Sequence, residues 1–242
     1  MNSACKRFRI AIILLFLSEF IFSPIFSLVF IIFLTIHTKA QTWQEVTALV
    51  PDPNIITTGA EYGRAVAIAG NYAVVGAPGE SRNKGAIYIL EWNEEYGEGN
   101  SWDKVARIQP EDGSEDDLFG FSIAITDSII VVGAPGHDSE QGAVYLFKIP
   151  ENGWQDTVNM KEPFKFVASN GWARDFFGQA VAIYNNTIAV GAPGANAAYI
   201  FERRNESWDI VTESALIDDA VSGSTLFGFT LDIEGDLLTV GA

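Results

Sequence analysis

The feature of this sequence that most constrains its fold is a short unit that occurs four times along the chain. In every copy an aromatic residue precedes a glycine, and thirteen residues after that glycine comes a second one, followed by alanine and, in the first three copies, proline. The paired glycines are Gly63 and Gly76, Gly120 and Gly133, Gly178 and Gly191, and Gly228 and Gly241. The copies recur after 57, 58 and 50 residues (120−63, 178−120 and 228−178), a period typical of repeat architectures.

Each unit is predicted to be a tight antiparallel hairpin. Residues 121–125 alternate in polarity, as expected of a half-buried strand, and the branched run 129–132 predicts a strand that is buried on both faces. Seven residues after the first glycine of every unit stands a pair of residues of the types that tolerate positive φ in two-residue turns. These pairs are Gly70-Asn71, Asp127-Ser128, Asn185-Asn186 and Gly235-Asp236.

Two further strands complete each repeat. A third strand is predicted at 86–90, 143–147 and 198–201, and the loop before it is four residues shorter in the third copy. A fourth strand is predicted to begin at a tryptophan, the candidates being Trp43, Trp102, Trp154 and Trp208. Four antiparallel strands per repeat describe a β-propeller blade.

The Phe-Gly and Gly-Ala-Pro motifs, with Gly-Ala-x-Tyr behind them, resemble the FG-GAP repeats of integrin α-chain propellers and of many secreted bacterial proteins over residues 43–242. The resemblance implies an all-β fold, a propeller of about seven blades whose loops on one face bind other macromolecules. With repeats that start near residues 62, 119, 177 and 227, about three and a half blades of an incomplete propeller are expected. The segment Trp43–Leu49 is then predicted to be the outer strand of the final blade.

The first forty residues are predicted to direct export. Lys6, Arg7 and Arg9 precede an apolar stretch over residues 10–36, which is the pattern of a signal peptide with cleavage near Gln41. The alternative is an uncleaved membrane anchor. The predicted organisation is therefore a signal peptide or N-terminal anchor at 1–40 and a partial propeller at 41–242, with the protein secreted or at the cell surface.

The charge of the exported part limits its partners. Residues 41–242 hold 11 basic and 30 acidic residues (15−4 and 31−1), a formal charge of −19. This charge disfavours nucleic acid and anionic membrane surfaces, so the membrane is expected to be contacted only through residues 1–40 if they stay uncleaved. Cys5 is the one cysteine of the chain, so no disulfide is predicted after residue 40, which favours a bacterial secreted relative over an integrin chain.

No cofactor or metal site is predicted. The resembled family often carries an Asp-x-Asp-x-Asp-Gly loop for Ca²⁺ between its two motifs, whereas each repeat here has room only for a two-residue turn. The acidic run 111–117 and the pair Asp218-Asp219 are predicted to be solvated loops. The sequons Asn185-Asn186-Thr187 and Asn205-Glu206-Ser207 would matter only in a eukaryotic host.

No catalytic residue is predicted either. His137 is the one histidine after residue 40, and its neighbours Asp138 and Ser139 are too close in sequence to suggest a triad. The repeated Trp, Tyr and Phe positions are predicted to be core packing, not a sugar-stacking surface. The leading hypothesis is a non-enzymatic extracellular recognition or adhesion propeller that binds a protein or glycan. The alternatives are the scaffold of a larger secreted hydrolase and a structural surface-layer component.

Overall fold

The computed structural model describes residues 59–93, 101–150, 153–154, 164–204, 208, 211–218 and 226–242, all within one compact unit, Val46–Ala242. The predicted export segment 1–40, the strand expected at Trp43–Leu49 and the second sequon lie outside these residues. In the part of the chain that the structure describes, no helix has the length and apolar character needed to cross a membrane.

The described residues form three four-stranded sheets and one hairpin. The first sheet consists of β1 (Val66–Ala69), β2 (Tyr72–Ala77), β3 (Ala86–Asn93) and β4 (Ser101–Ile108). The second consists of β5 (Ser122–Ile125), β6 (Ile129–Ala134), β7 (Ala143–Lys148) and β8 (Phe164–Phe166). The third consists of β9 (Ala180–Tyr184), β10 (Thr187–Ala192), β11 (Ala197–Arg203) and β12 (Val211–Asp218). The hairpin consists of β13 (Thr230–Glu234) and β14 (Leu237–Gly241). In each sheet a short turn joins the second and third strands. These turns contain Glu80–Asn83, His137–Glu140 and Pro193–Ala195.

The sheets have the order and contacts of propeller blades. Strands pair antiparallel in chain order within each sheet, and neighbouring sheets contact each other along their first strands, β1 with β5, β5 with β9 and β9 with β13. Each sheet therefore runs outward from the side where the sheets meet, as blades do in a propeller. The predicted fold class, an all-β propeller of four-stranded antiparallel blades with about three and a half present, is confirmed for the described residues.

The predicted hairpins form in all four repeats, but their turns differ. Three turns begin with a residue at positive φ, namely Gly70 (55°), Asn185 (51°) and Gly235 (60°). In the second blade neither Asp127 nor Ser128 has positive φ. The Thr126 hydroxyl instead accepts hydrogen bonds from the backbone N–H groups of Ser128 and Ile129, at 3.3 and 3.2 Å, and thereby closes the turn.

The prediction of a tryptophan-led fourth strand holds in the first blade and is wrong in the second. Trp102 lies at the start of β4, but the strand that pairs with β7 is Phe164–Phe166. Trp154 is buried in the core between the first two blades, and the rest of its predicted strand lies outside the described residues. The half-buried Phe164 and Phe166 alternate with the exposed Lys165, which is the pattern that an outer strand requires. In the third blade Trp208 is buried and precedes β12.

The constant spacing of the two glycines has a direct physical reason. Within the second blade the N–H of Gly120, at φ 92°, donates to the carbonyl oxygen of Gly133 at 3.1 Å, and the other three repeats have the same bond. Between blades, a Cβ atom on Gly133 would lie 2.0 Å from the carbonyl oxygen of Gly178. Only glycine allows the backbones of adjacent blades to approach this closely.

The aromatic residue of each of the first three repeats packs against a tyrosine of the third strand. Phe119 is fully buried and packs edge to face against Tyr145 of β7, with ring centroids 5.3 Å apart. Phe177 and Tyr199 form the same pair at 5.3 Å, and Tyr62 and Tyr88 do so at 5.2 Å. One hydrophobic cluster lies between the first and second blades, and another lies between the second and third blades. The prediction that these aromatic positions are core is confirmed.

Candidate functional site

The loop that joins the second and third strands of a blade contains an unusual left-handed turn. In the first blade Ser81, Arg82 and Asn83 have φ values of 54°, 61° and 64°. In the second blade the values at Asp138, Ser139 and Glu140 are 49°, 61° and 67°. All six side chains are exposed. Such a conformation costs roughly 1–2 kcal/mol per residue for non-glycine residues, so other contacts must hold it in place.

The following blade supplies those contacts. The carbonyl oxygen of Asn83 accepts a hydrogen bond from the N–H of Leu118 at 2.8 Å, and that of Glu140 accepts one from the N–H of Phe176 at 2.8 Å. In the third blade the shorter loop cannot do this, and the Asn196 side-chain oxygen accepts from the N–H of Leu226 at 2.7 Å instead. The left-handed turns therefore form part of the joint between blades.

An open groove lies where the two left-handed turns approach each other. Its volume is about 720 Å³, and it is lined by Asn83, residues 114–118, residues 136–140 and Phe176. Its lining includes five carboxylates, those of Glu115, Asp116, Asp117, Asp138 and Glu140. Ion pairs engage two of them, since Arg82 contacts Glu115 at 2.5 Å and Arg174 contacts Glu140 at 3.6 Å.

His137 has a partner that the sequence did not indicate. Its Nδ1 atom lies 2.9 Å from Oδ2 of Asp117, a residue of the acidic run that was predicted to be solvated. Asp117 is only 3% exposed, and the same oxygen accepts the N–H of Ser114 at 2.8 Å. The prediction that this run is wholly solvated is wrong at Asp117, because the loop folds back and the carboxylate satisfies its own backbone and the imidazole.

A second ion pair lies next to the pair formed by His137 and Asp117. The Lys165 ammonium group forms an ion pair with Asp112, which also accepts a hydrogen bond from the Tyr145 hydroxyl at 3.1 Å. Burial alone would raise the pKa of Asp112, but the hydrogen bond and charge of Lys165 outweigh it and the pKa is lowered. Burial raises the pKa of Tyr145, and the charge of Asp112 raises it further.

The first blade holds a related cluster with different residues. Glu80, which follows Gly-Ala-Pro-Gly as His137 does, is 3% exposed and accepts hydrogen bonds from Tyr88 at 2.7 Å and from Nε of Arg107 at 2.9 Å. Burial, followed by the hydrogen bond to Glu80, raises the pKa of Tyr88 to about 12. In the third blade the residue after Gly-Ala-Pro-Gly is Ala195. The side chain at this position therefore differs from blade to blade, whereas the strands around it repeat.

A protein group also lies near the other ring nitrogen of His137. Its Nε2 atom is 3.4 Å from the Lys165 ammonium group. Among the described ranges, no group of three or more His, Cys, Asp or Glu residues is arranged to hold a metal ion.

One exposed residue of this region, Trp172, was not identified as a candidate from the sequence. The loops 111–117 and 169–175 share one conformation: the N–H of Ser114 donates to Asp117 at 2.8 Å, and that of Trp172 donates to Asp175 at 2.6 Å. Trp172 therefore occupies the place of Ser114, and its side chain is 78% exposed. The tryptophan stands out when the two loop sequences are aligned, Glu-Asp-Gly-Ser-Glu-Asp-Asp with Ser-Asn-Gly-Trp-Ala-Arg-Asp.

The repeat geometry described above agrees with a comparison to protein families. No curated protein matches the chain significantly. The family model described as FG-GAP repeat matches residues 43–90, 102–147 and 161–201, more than half of the chain, and these matches contain the paired glycines that join the first three blades. On this match, and on the blades that carry it, the chain belongs to the FG-GAP repeat family.

Proposed function

We propose that this protein is an extracellular, non-enzymatic recognition propeller that binds a protein or glycan partner through the loops around the groove. FG-GAP repeats are typical of extracellular proteins, and the apolar segment at residues 10–36 supports export.

One observation carries the proposal. The turns at 81–83 and 138–140 share a strained backbone conformation but present different exposed side chains, Ser-Arg-Asn in one and Asp-Ser-Glu in the other. A rigid joint that displays variable side chains is suited to recognition, because little conformational entropy is lost when a partner binds.

Binding without turnover is the expected behaviour. The ring nitrogens of His137, the one histidine in the lining of the groove, lie beside Asp117 and Lys165, which supports a structural role for this residue. The alternative of a scaffold within a larger secreted hydrolase would place the chemistry in another domain.

A loop exchange tests the proposal. The full chain, secreted by an expressing host, is passed over immobilised extracellular matrix proteins and polysaccharides and compared with a variant in which Asp138, Ser139 and Glu140 are replaced by Ser, Arg and Asn. Because the replacement is the sequence of the equivalent turn in the first blade, the backbone is expected to persist and the melting temperature to stay unchanged. We expect the wild type to bind a partner, the exchange to weaken that binding at least roughly tenfold, and the partner to be recovered chemically intact.

Two results would contradict the proposal. One is retention of the chain inside the producing cell, as judged by its protection from added protease. The other is cleavage of a bound partner that is lost in His137→Ala, since this would make the groove an active site.

A further inference from the structure

Trp172 is displayed where the fold does not require an aromatic residue. Its structural equivalent in the preceding blade is Ser114, in a loop with the same backbone hydrogen bonds, so either residue type is compatible with the conformation. The indole is nevertheless 78% exposed, whereas Trp154 and Trp208 are 7% and 5% exposed. Of the large hydrophobic side chains that are exposed in the described residues, Trp172 is both the most exposed and the largest.

The loop that carries Trp172 is held firmly on three sides. The Trp172 N–H donates to Asp175, whose side chain is buried, and the carbonyl oxygen of Gly171 accepts from Nε2 of Gln141 at 2.7 Å. Ser169 donates to the Glu213 carboxylate through its N–H at 3.0 Å and its hydroxyl at 2.8 Å. The backbone that carries the indole is thus ordered before any ligand arrives, which lowers the entropic cost of binding.

Charged side chains of the same loop and of the turn 138–140 that it contacts define the chemistry of the ligand. Arg174 lies two residues further along the loop, with 83% of its side chain exposed, and its Nε atom is 3.6 Å from Oε2 of Glu140. These opposite charges cancel locally, and together they offer hydrogen-bond donors and acceptors to a ligand with hydroxyl groups. A cationic ligand would meet the exposed guanidinium group, and an anionic one would meet the net charge of −16 of the chain.

We propose that Trp172 is the stacking platform of a site for a neutral saccharide, with Arg174 and Glu140 as its hydrogen-bonding partners. The C–H groups on one face of a pyranose ring carry partial positive charge and pack against the negative face of the indole, while the hydroxyl groups at the ring edge reach the two charged side chains. The inference rests on the proposed recognition function and assigns the chemical class of its ligand.

The experiment uses the full chain on an array of neutral oligosaccharides built from glucose, galactose, mannose and N-acetylglucosamine. A sulfated polysaccharide and a hexa-arginine peptide serve as charged probes. Saccharides that bind are then titrated in solution against the wild type, Trp172→Ser, Trp172→Phe and Leu237→Ser. Trp172→Ser installs the residue of the equivalent loop and should fold normally, and Leu237→Ser removes a similarly exposed apolar side chain in another blade.

We expect at least one neutral saccharide to bind the wild type and Leu237→Ser equally. Trp172→Ser should weaken this binding by roughly 10- to 100-fold, the range of an interface hot spot, and Trp172→Phe should weaken it less because a smaller ring remains. The proposal would be overturned if no neutral saccharide on the array bound the wild type, if the wild type and Trp172→Ser had equal affinity, or if binding were confined to the sulfated polysaccharide or to hexa-arginine. In those cases the recognition function would still stand or fall on the loop exchange at 138–140, so the two failures are distinguishable.

Discussion

At the scale of single residues, the contact between glycines of successive blades sets how closely the blades pack. Gly133 has an ordinary φ value, so it is glycine not for its torsion angles but because the Gly178 carbonyl oxygen occupies the space that a Cβ atom would need. The same relation holds between Gly76 and Gly120, and between Gly191 and Gly228.

A methyl group at this contact should therefore separate two blades. We expect Gly133→Ala to lower the free energy of unfolding by about 3 kcal/mol or more, the upper range for overpacking, since the nearest atom, the Gly178 carbonyl oxygen at 2.0 Å, belongs to the backbone and cannot rotate away. Gly235→Ala is the matched control, because Gly235 has φ 60° but nothing within 4 Å of its would-be Cβ. That variant should cost only about 1 kcal/mol. Urea unfolding measures both, and equal losses would show that the close contact is unimportant.

The buried tyrosines predict a loss of stability in alkali. Burial is the main cause that raises the pKa of Tyr88 and of Tyr199 to about 12, from the ordinary tyrosine value of 10.0. Because the unfolded chain releases these protons at lower pH than the folded chain, stability is fully present below about pH 10 and falls as pH rises towards 12. Far-UV circular dichroism and tyrosinate absorbance should change together in this window.

Tyr88→Phe provides the control for the alkaline transition. The variant lacks one of the titrating hydroxyl groups but keeps the ring against Tyr62, so its stability should fall less steeply above pH 10. If the tyrosines ionise in the folded protein at the same pH as free tyrosine, the burial of their hydroxyl groups has no energetic consequence.

At the scale of elements, loops with the same backbone differ in what they present. The turns 81–83 and 138–140 are one conformation with two sets of side chains, and the loops 111–117 and 169–175 are another such pair. The blades thus act as a scaffold for loops whose chemistry can differ from repeat to repeat.

The two-residue hairpin turns are expected to bind no Ca²⁺ specifically. Gly70-Asn71, Asp127-Ser128 and Asn185-Asn186 each offer at most one carboxylate, whereas Ca²⁺ takes about six to eight oxygen ligands. Isothermal titration calorimetry of the full chain should show no micromolar Ca²⁺ binding that depends on Asp127. A micromolar site abolished by Asp127→Ala would mean that the second blade holds the metal loop of its family after all.

At the scale of the whole molecule, the described part of the chain is a series of blades with hydrophobic clusters between neighbouring blades. The cluster around Phe177 joins the second and third blades, and the cluster around Phe119 joins the first and second. Stability in such an array is approximately a sum of blade and interface contributions, so damage at one interface should remain local.

Truncation of Phe177 tests this locality. Phe177→Ala removes a fully buried ring and should cost about 3–5 kcal/mol. Hydrogen exchange should accelerate in β5–β12 and change least in β1–β3. Phe229→Ala is the control, because Phe229 is 47% exposed and its loss should cost far less. Uniform acceleration across all described strands would show that the blades unfold as one cooperative unit.

The sequence by itself determined the repeat, the hairpins and the aromatic core. These features are local: a turn pair, an alternating strand and a Phe-Gly motif act within about thirty residues, so their pattern can be read directly. The third strands formed where they were predicted. The loop before the third strand of the third blade is short, as predicted, and its Asn196 side chain makes the contact to the next repeat that the left-handed turn makes in the other blades.

Only the tertiary structure decided what lies between repeats. The pairing of His137 with Asp117 and the contact of Gly133 with Gly178 depend on how one blade meets the next, and the placement of β8 at Phe164–Phe166 depends on which segment pairs with β7. Such contacts join residues that are distant in sequence and are selected by packing geometry, which no local periodicity encodes. Alignment of the two loops places Trp172 opposite Ser114, but only the structure showed that 78% of its side chain is exposed.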